Sequence, residues 1–372
     1  MADVAARGGS VETKTAVVND LLAALRTHTD HFVIGDVLAL GSAIVRNPDW
    51  GCRNLGIPAD RGALETFQVG LGPMTLEEAP PAQGIRIVEE PVVAPEGVVW
   101  EREIEYARYG DRPVHLDVLR PAARPAAPVP ALVWVHGGGF SLGTKQQGLA
   151  QNVRFAQRGW YTVTIEYRLS GEAKFPAAVH DCKAAVRWLR ANAASLGVDP
   201  DRIAIWGSSS GGNLAALVGT SGGVADLEGD GGNPGVSSRV RCVVDCYGPG
   251  NWLSISAQRG KPGTTPDETY YYGDQPERAS PVNHVTKGCP PFLIFHGSED
   301  HVVPIAQSEE FYGVLKAAGV DATYVPILGA GHGWPSNPEV DRRVDAFFAR
   351  HLEGAEVEIS SEPIRVPDQG GR

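Results

Sequence analysis

The sequence predicts an α/β fold: a mostly parallel eight-stranded sheet flanked by helices, with a partly helical N-terminal extension or cap. Three observations lead there. Strand-like apolar runs alternate with helical patterns after residue 97, most of the gaps between runs are long enough for crossovers between parallel strands, and residues 14–46 instead carry apolar positions at helical spacing. The 372 residues, 42% apolar and 21% charged, suffice for an enzyme-sized core.

Taken in order, Val17, Val18, Leu21, Leu22 and Leu25, then Val37, Leu38, Leu40, Ile44 and Val45, predict two amphipathic helices whose apolar face needs a cover. That cover is either the rest of the chain or a second subunit, so a homodimer is one expected assembly. Residues 47–97 are broken by Asn47-Pro48, Gly72-Pro73 and Pro80-Pro81 into short elements and irregular connections, which sets a boundary near 97. Eight strands are expected at 98–107, 114–120, 131–136, 161–167, 202–207, 240–247, 291–296 and 322–328. The first two are joined by Tyr109-Gly110-Asp111-Arg112, short enough for an antiparallel hairpin. Residues 176–194 give the clearest helix. The main body is expected over 98–352, and residues 353–372 read as a polar, mobile tail.

Charge and composition narrow the function. With 33 basic against 44 acidic residues the net charge is −11, a sign that repels a phosphate backbone and argues against nucleic acid as a partner. No apolar run approaches the ~20 residues of a membrane span. The N-terminus shows no secretory pattern, so a cytoplasmic location is expected. Five scattered cysteines, with no Cys-x-x-Cys pair, read as buried thiols.

Gly207-Ser208-Ser209-Ser210-Gly211 fits G-x-S-x-G, the strand-to-helix turn that lifts a serine hydroxyl to the top of a sheet. A second match centred on Ser221 follows a helix instead of a strand and reads as a helix stop, so Ser209 is the expected nucleophile. His136-Gly137-Gly138-Gly139-Phe140 follows a strand directly and exposes backbone N–H groups. With the N–H of Ser210, that run would cradle an oxyanion, while His136 anchors the loop. A serine needs a base, and the base a carboxylate. His332, beyond the last predicted strand, and Asp300, beyond the one before it, fill those places; His296 and His301 are the competing bases and Glu299 the competing acid. Convergence of His296, Asp300, His301 and His332 on a metal ranks low, because no short ligand spacing accompanies it.

These motifs resemble the α/β-hydrolase superfamily, and within it the hormone-sensitive-lipase-like and bacterial feruloyl-esterase-type carboxylesterases. The resemblance covers about 98–352. It rests on His136–Gly139, Gly207–Gly212, Asp300 and His332, with Glu166-Tyr167-Arg168-Leu169, Phe175-Pro176-Ala177-Ala178 and Ala279-Ser280-Pro281 as further landmarks. It implies an α/β-hydrolase fold over 98–352 as the catalytic domain, a lid insertion at 248–289, and an oxyanion hole of the Gly138, Gly139 and Ser210 amides. Ser208 stands where hormone-sensitive-lipase relatives often carry Asp, which favours the feruloyl-esterase-type branch. The expected activity is hydrolysis of a small-molecule carboxylic ester through an acyl-enzyme, with no metal and no organic cofactor. A lactonase, amidase or acyltransferase would use the same groups, and a non-catalytic receptor is the rival of another class. Phe140, Trp252 and Trp334 are the substrate-contact candidates; the aromatics around Trp252 and Tyr270-Tyr271-Tyr272 line a pocket or pack the loop onto the sheet.

Overall fold

The computed structural model describes residues 94–259, 271–334 and 336–366, together with the backbone of two short strands before them. The two helices expected within 14–46 lie outside the described residues. The chain divides into two units, Met1–Val93 and Ala94–Arg372. In the first, β1 (Met74–Glu77) pairs antiparallel with β2 (Arg86–Glu89), Met74 opposite Glu89.

The second unit is built on one nine-stranded sheet. Its strands are β3 (Val98–Tyr109), β4 (Arg112–Pro121), β5 (Val129–Val135), β6 (Tyr161–Ile165), β7 (Val198–Ser208), β8 (Cys242–Cys246), β9 (Phe292–Gly297), β10 (Ala322–Leu328) and β11 (Ile364–Arg365). Their order across the sheet is β11-β10-β9-β8-β7-β5-β6-β4-β3. The expected hairpin forms, Tyr109 pairing with Arg112, and β4 is also antiparallel to β6; every pairing from β6 through β5 to β11 is parallel.

All eight expected strands are present, and β11 makes a ninth. Residues 353–366 are therefore more than a polar tail. Ile364 is buried and pairs with Ile327 at the open edge of β10, while the Arg343 guanidinium donates to the Ser360 carbonyl. A two-residue strand with one buried side chain has no period to read, so its cause lies in the edge it covers.

The sheet is apolar on both faces, as a parallel sheet covered by helices must be. Along β5, Ala131, Val133 and Val135 enter one core while Leu132 and Trp134 enter the other; on β7, Ile203 and Ile205 alternate likewise with Ala204 and Trp206. The helices of this unit include α1 (Leu149–Gln157), α2 (Ala177–Leu196), α3 (Ser210–Thr220), α4 (Ala225–Glu228), α5 (Ile255–Gln258), α6 (Ala306–Ala317) and α7 (Pro338–Leu352). Leu189 of α2 and Leu214 of α3 pack in the first core, Phe155 of α1 and Phe348 of α7 in the second. Among the described residues no helix is long and apolar enough to cross a membrane. The carboxyl ends of β5, β7, β8, β9 and β10 lie side by side, and the loops that follow them carry the glycine run, Ser209, Tyr247, Asp300 and His332.

Candidate active site

Ser209 sits between β7 and α3 with φ 54° and ψ −123°, a left-handed backbone that is costly for a residue with a Cβ, of order 1–3 kcal/mol. The turn is tight. A Cβ on Gly207 would strike the Gly211 carbonyl, and one on Gly211 would strike the carbonyls of Val135 and His136, so the motif's outer glycines are required sterically. The amide of Ser209 donates to the Cys246 carbonyl at 2.9 Å, and its carbonyl accepts from the Asn213 amide at 3.1 Å. Both neighbours hold the strained residue in place.

From Ser209 a hydrogen-bonded chain runs across three loops. Ser209 Oγ lies 2.9 Å from His332 Nε2, and His332 Nδ1 lies 2.7 Å from Asp300 Oδ2. The other oxygen of Asp300 accepts the amides of Val302 (2.8 Å) and Val303 (2.9 Å), so Nδ1 of His332 carries a proton and Nε2 faces the serine. The Asp300 carboxyl is fully buried, which raises its pKa, but hydrogen bonds from His296 and His332 outweigh burial and hold it well below the usual carboxylate range. It is ionised throughout the neutral range.

The glycine run lies directly against this turn. A Cβ on Gly137 would meet the Ser208 carbonyl at 2.9 Å and Ser209 Cβ at 3.3 Å. Gly138 and Gly139 have φ of 126° and 59°, and among the described residues no hydrogen bond engages their amides. His136 anchors the loop: its ring stacks on Tyr167 at 4.2 Å, its Nδ1–H donates to the Gly137 carbonyl at 2.8 Å, and burial pushes its pKa down to about 4. Ser210 opens α3, so its amide points out of the helix N-terminus beside the same space.

The competing residues lie elsewhere. Ser221 is buried at the end of α3, donating to the Leu217 carbonyl at 2.5 Å; Glu299 and His301 are exposed. His296 is fully buried and contacts Asp300 rather than Ser209.

The aromatic candidates divide. Phe140 and Trp252 are each only 2% exposed, so little of either ring is open to a substrate. The left-handed φ of 62° at Phe140 turns its ring inward to stack on Tyr271 at 3.6 Å, and Trp252 packs beside both while its Nε1–H donates to the Ala279 carbonyl. Much of the expected lid at 248–289 is thus packed onto the body, with 260–270 outside the described residues. Trp334 is half-buried and meets Tyr247 edge-on at 5.2 Å. Sequence reasoning missed Tyr247, which follows β8 with φ 45° and sets its ring edge-on to His332 at 4.8 Å. Its place at the carboxyl end of a central strand was the available signal.

The sequence model of the BD-FAE family matches residues 116–315, more than half of the chain. The chain belongs to that family. The matched span runs from β4 into α6 and includes the glycine run, Ser209 and Asp300, with His332 following it. Among curated proteins, esterase LipC of Mycobacterium tuberculosis is 34% identical over 61% of this chain, which spans 58% of LipC's length. Among solved structures, a truncated carbohydrate esterase from gut microbiota superposes with a TM-score of 0.60 at 29% identity, covering 68% of this chain and 96% of that one. Esterase 2 of Thermogutta terrifontis, in the form phosphonylated by sarin, gives a TM-score of 0.60 at 27% identity over 73% of this chain and all of its own. The mostly parallel sheet covered by helices, together with these esterase neighbours, makes the fold an α/β-hydrolase fold.

Proposed function

We propose that the protein is a serine hydrolase of small carboxylic esters, with Ser209 as nucleophile, His332 as general base and then acid, and Asp300 as the group that orients His332. The observation that carries this reading is the unbroken chain from Ser209 Oγ through His332 to Asp300, ending on a serine held in a strained turn. In the first half-reaction Ser209 Oγ adds to the ester carbonyl while His332 Nε2 takes its proton. The negative charge that develops on the carbonyl oxygen is accepted by the amides of Gly138, Gly139 and Ser210; the Ser209 amide is already engaged by Cys246. The imidazolium then protonates the departing alkoxide, leaving an acyl-serine. Water adds in the second half, giving its proton to His332, and the acid leaves as Ser209 is restored.

Serine, imidazole and amides supply every step, so the cycle draws on no metal or organic cofactor. Trp334 is the aromatic side chain kept as a substrate contact. A cytoplasmic location belongs to the same proposal. The esterase names of the relatives support the ester-hydrolase reading. The sarin adduct of the Thermogutta protein makes an organophosphorus probe the natural test: a fluorophosphonate should label Ser209, and hydrolysis of p-nitrophenyl esters of graded chain length should vanish with labelling. Labelling elsewhere, or ester hydrolysis that survives full labelling, would overturn the assignment.

A further inference from the structure

One buried imidazole touches the Ser209 chain without belonging to it. His296, on β9, is completely enclosed; its Nδ1 lies 2.7 Å from Ser308 Oγ on α6, and its Nε2 lies 2.8 Å from the Val303 carbonyl and 3.2 Å from Asp300 Oδ2. A carbonyl and a carboxylate can only accept, so Nε2 carries a proton and shares it between them. In the neutral ring Nδ1 then accepts from the Ser308 hydroxyl. Asp300 Oδ2 is therefore approached by two imidazoles, His296 Nε2 and His332 Nδ1, while Oδ1 is held by two amides.

We propose that His296 is a positioning residue for Asp300 and His332, acting through the carboxylate oxygen they share. This role rests on the serine-hydrolase reading above. The Nε2–H of His296 fixes the carboxylate against rotation and draws electron density from Oδ2, so that His332 receives a weaker acceptor than a carboxylate facing it alone. Without that donor, Oδ2 would stabilise the His332 imidazolium more strongly, and the acid limb of kcat/KM would move to higher pH. The ionisable groups around the pair are Asp300 and His332 from the loops after β9 and β10, Asp245 from β8, and Tyr247, whose ring lies edge-on to both imidazoles.

The full chain carrying His296→Leu, His296→Gln or Ser308→Ala tests the role through kcat/KM against pH on a p-nitrophenyl ester. His296→Leu removes the donor, and the acid limb should move to higher pH. His296→Gln keeps an N–H at the Nε2 position and should restore most of the original limb. Ser308→Ala loosens the ring and should shift it less, in the same direction. A role confined to packing would instead lower activity equally at all pH values. A limb unmoved in His296→Leu, or moved equally in His296→Gln, overturns the proposal. Should His296→Leu fail to fold, an unmoved limb in Ser308→Ala does so. Fluorophosphonate labelling of the wild type separates the two readings: an unlabelled, inactive wild type sinks the serine-hydrolase reading and this role with it, whereas a labelled wild type with unmoved limbs sinks the role alone.

Discussion

Two buried carboxylates near the site shift in opposite directions, and the difference is a matter of donors. Asp300 receives two backbone amides and two imidazoles, which overcome its burial and keep it charged. Asp245, on β8, is buried as deeply but receives the Gly248 amide and a weaker influence of His296, so burial wins and lifts its pKa from 3.8 to about 6. The sign for stability follows. Asp300, depressed when folded, contributes stability above the ordinary carboxylate range that is lost as pH falls toward its folded value. Asp245, raised when folded, leaves stability intact below its unfolded value and erodes it as pH rises through about 6. Asp245→Asn should therefore match the wild type near pH 4 and exceed it by up to ~3 kcal/mol at pH 8. Urea unfolding at the two pH values decides this, and an equal difference at both would contradict it. For chemistry, Asp300→Asn should lower kcat by about 10⁴-fold by presenting His332 in the wrong tautomer, with the fold intact by circular dichroism. A loss smaller than about tenfold would show that another group orients His332.

At the scale of elements, the glycine loop after β5 offers the sharpest test. Gly138 has φ 126°, and a Cβ there would run into the Leu142 backbone, so Gly138→Val must move the loop. If its amide meets the oxyanion, kcat should fall by about 10²-fold or more with little change in KM; a raised KM with unchanged kcat would mean the loop only binds ester. The loop was legible in the sequence because a triple glycine after a strand has few structural uses. The strands were legible for a comparable reason: runs such as Val129–Val135 are apolar at every position, as burial on both faces requires. What escaped was whatever depends on direction rather than composition. Nothing in the spelling of His136–Phe140 says that Phe140 turns inward onto Tyr271, because that follows from its left-handed backbone. His296 was visible as a histidine four residues before Asp300, but its partners Ser308 and Val303 become neighbours only when α6 packs behind β9. β11 is shorter than any periodicity and exists because β10 leaves an edge to cover.

At the scale of the whole molecule, the residues of the Ser209 chain and the glycine run all lie beyond position 130, which leaves the first 97 residues without a part in the proposed chemistry. Their sequence still has a physical requirement. Val17, Val18, Leu21, Leu22 and Leu25 fall on one side of a helix predicted from spacing, and each such side chain gains about 1.5–3 kcal/mol when fully buried. A stripe of five left in water would also be an aggregation hazard on a chain whose net charge of −11 otherwise favours dispersal. The extension is therefore expected to act as a cap or an interface, covering itself against the catalytic body or a second subunit. Deleting residues 1–46 should then leave fluorophosphonate labelling of Ser209 in place while changing the oligomeric state, the tendency to aggregate or the preferred ester length. Size-exclusion chromatography, melting temperature and the p-nitrophenyl ester series read these directly. If the shortened chain matches the full one in size, melting temperature and ester preference, the segment has no such role.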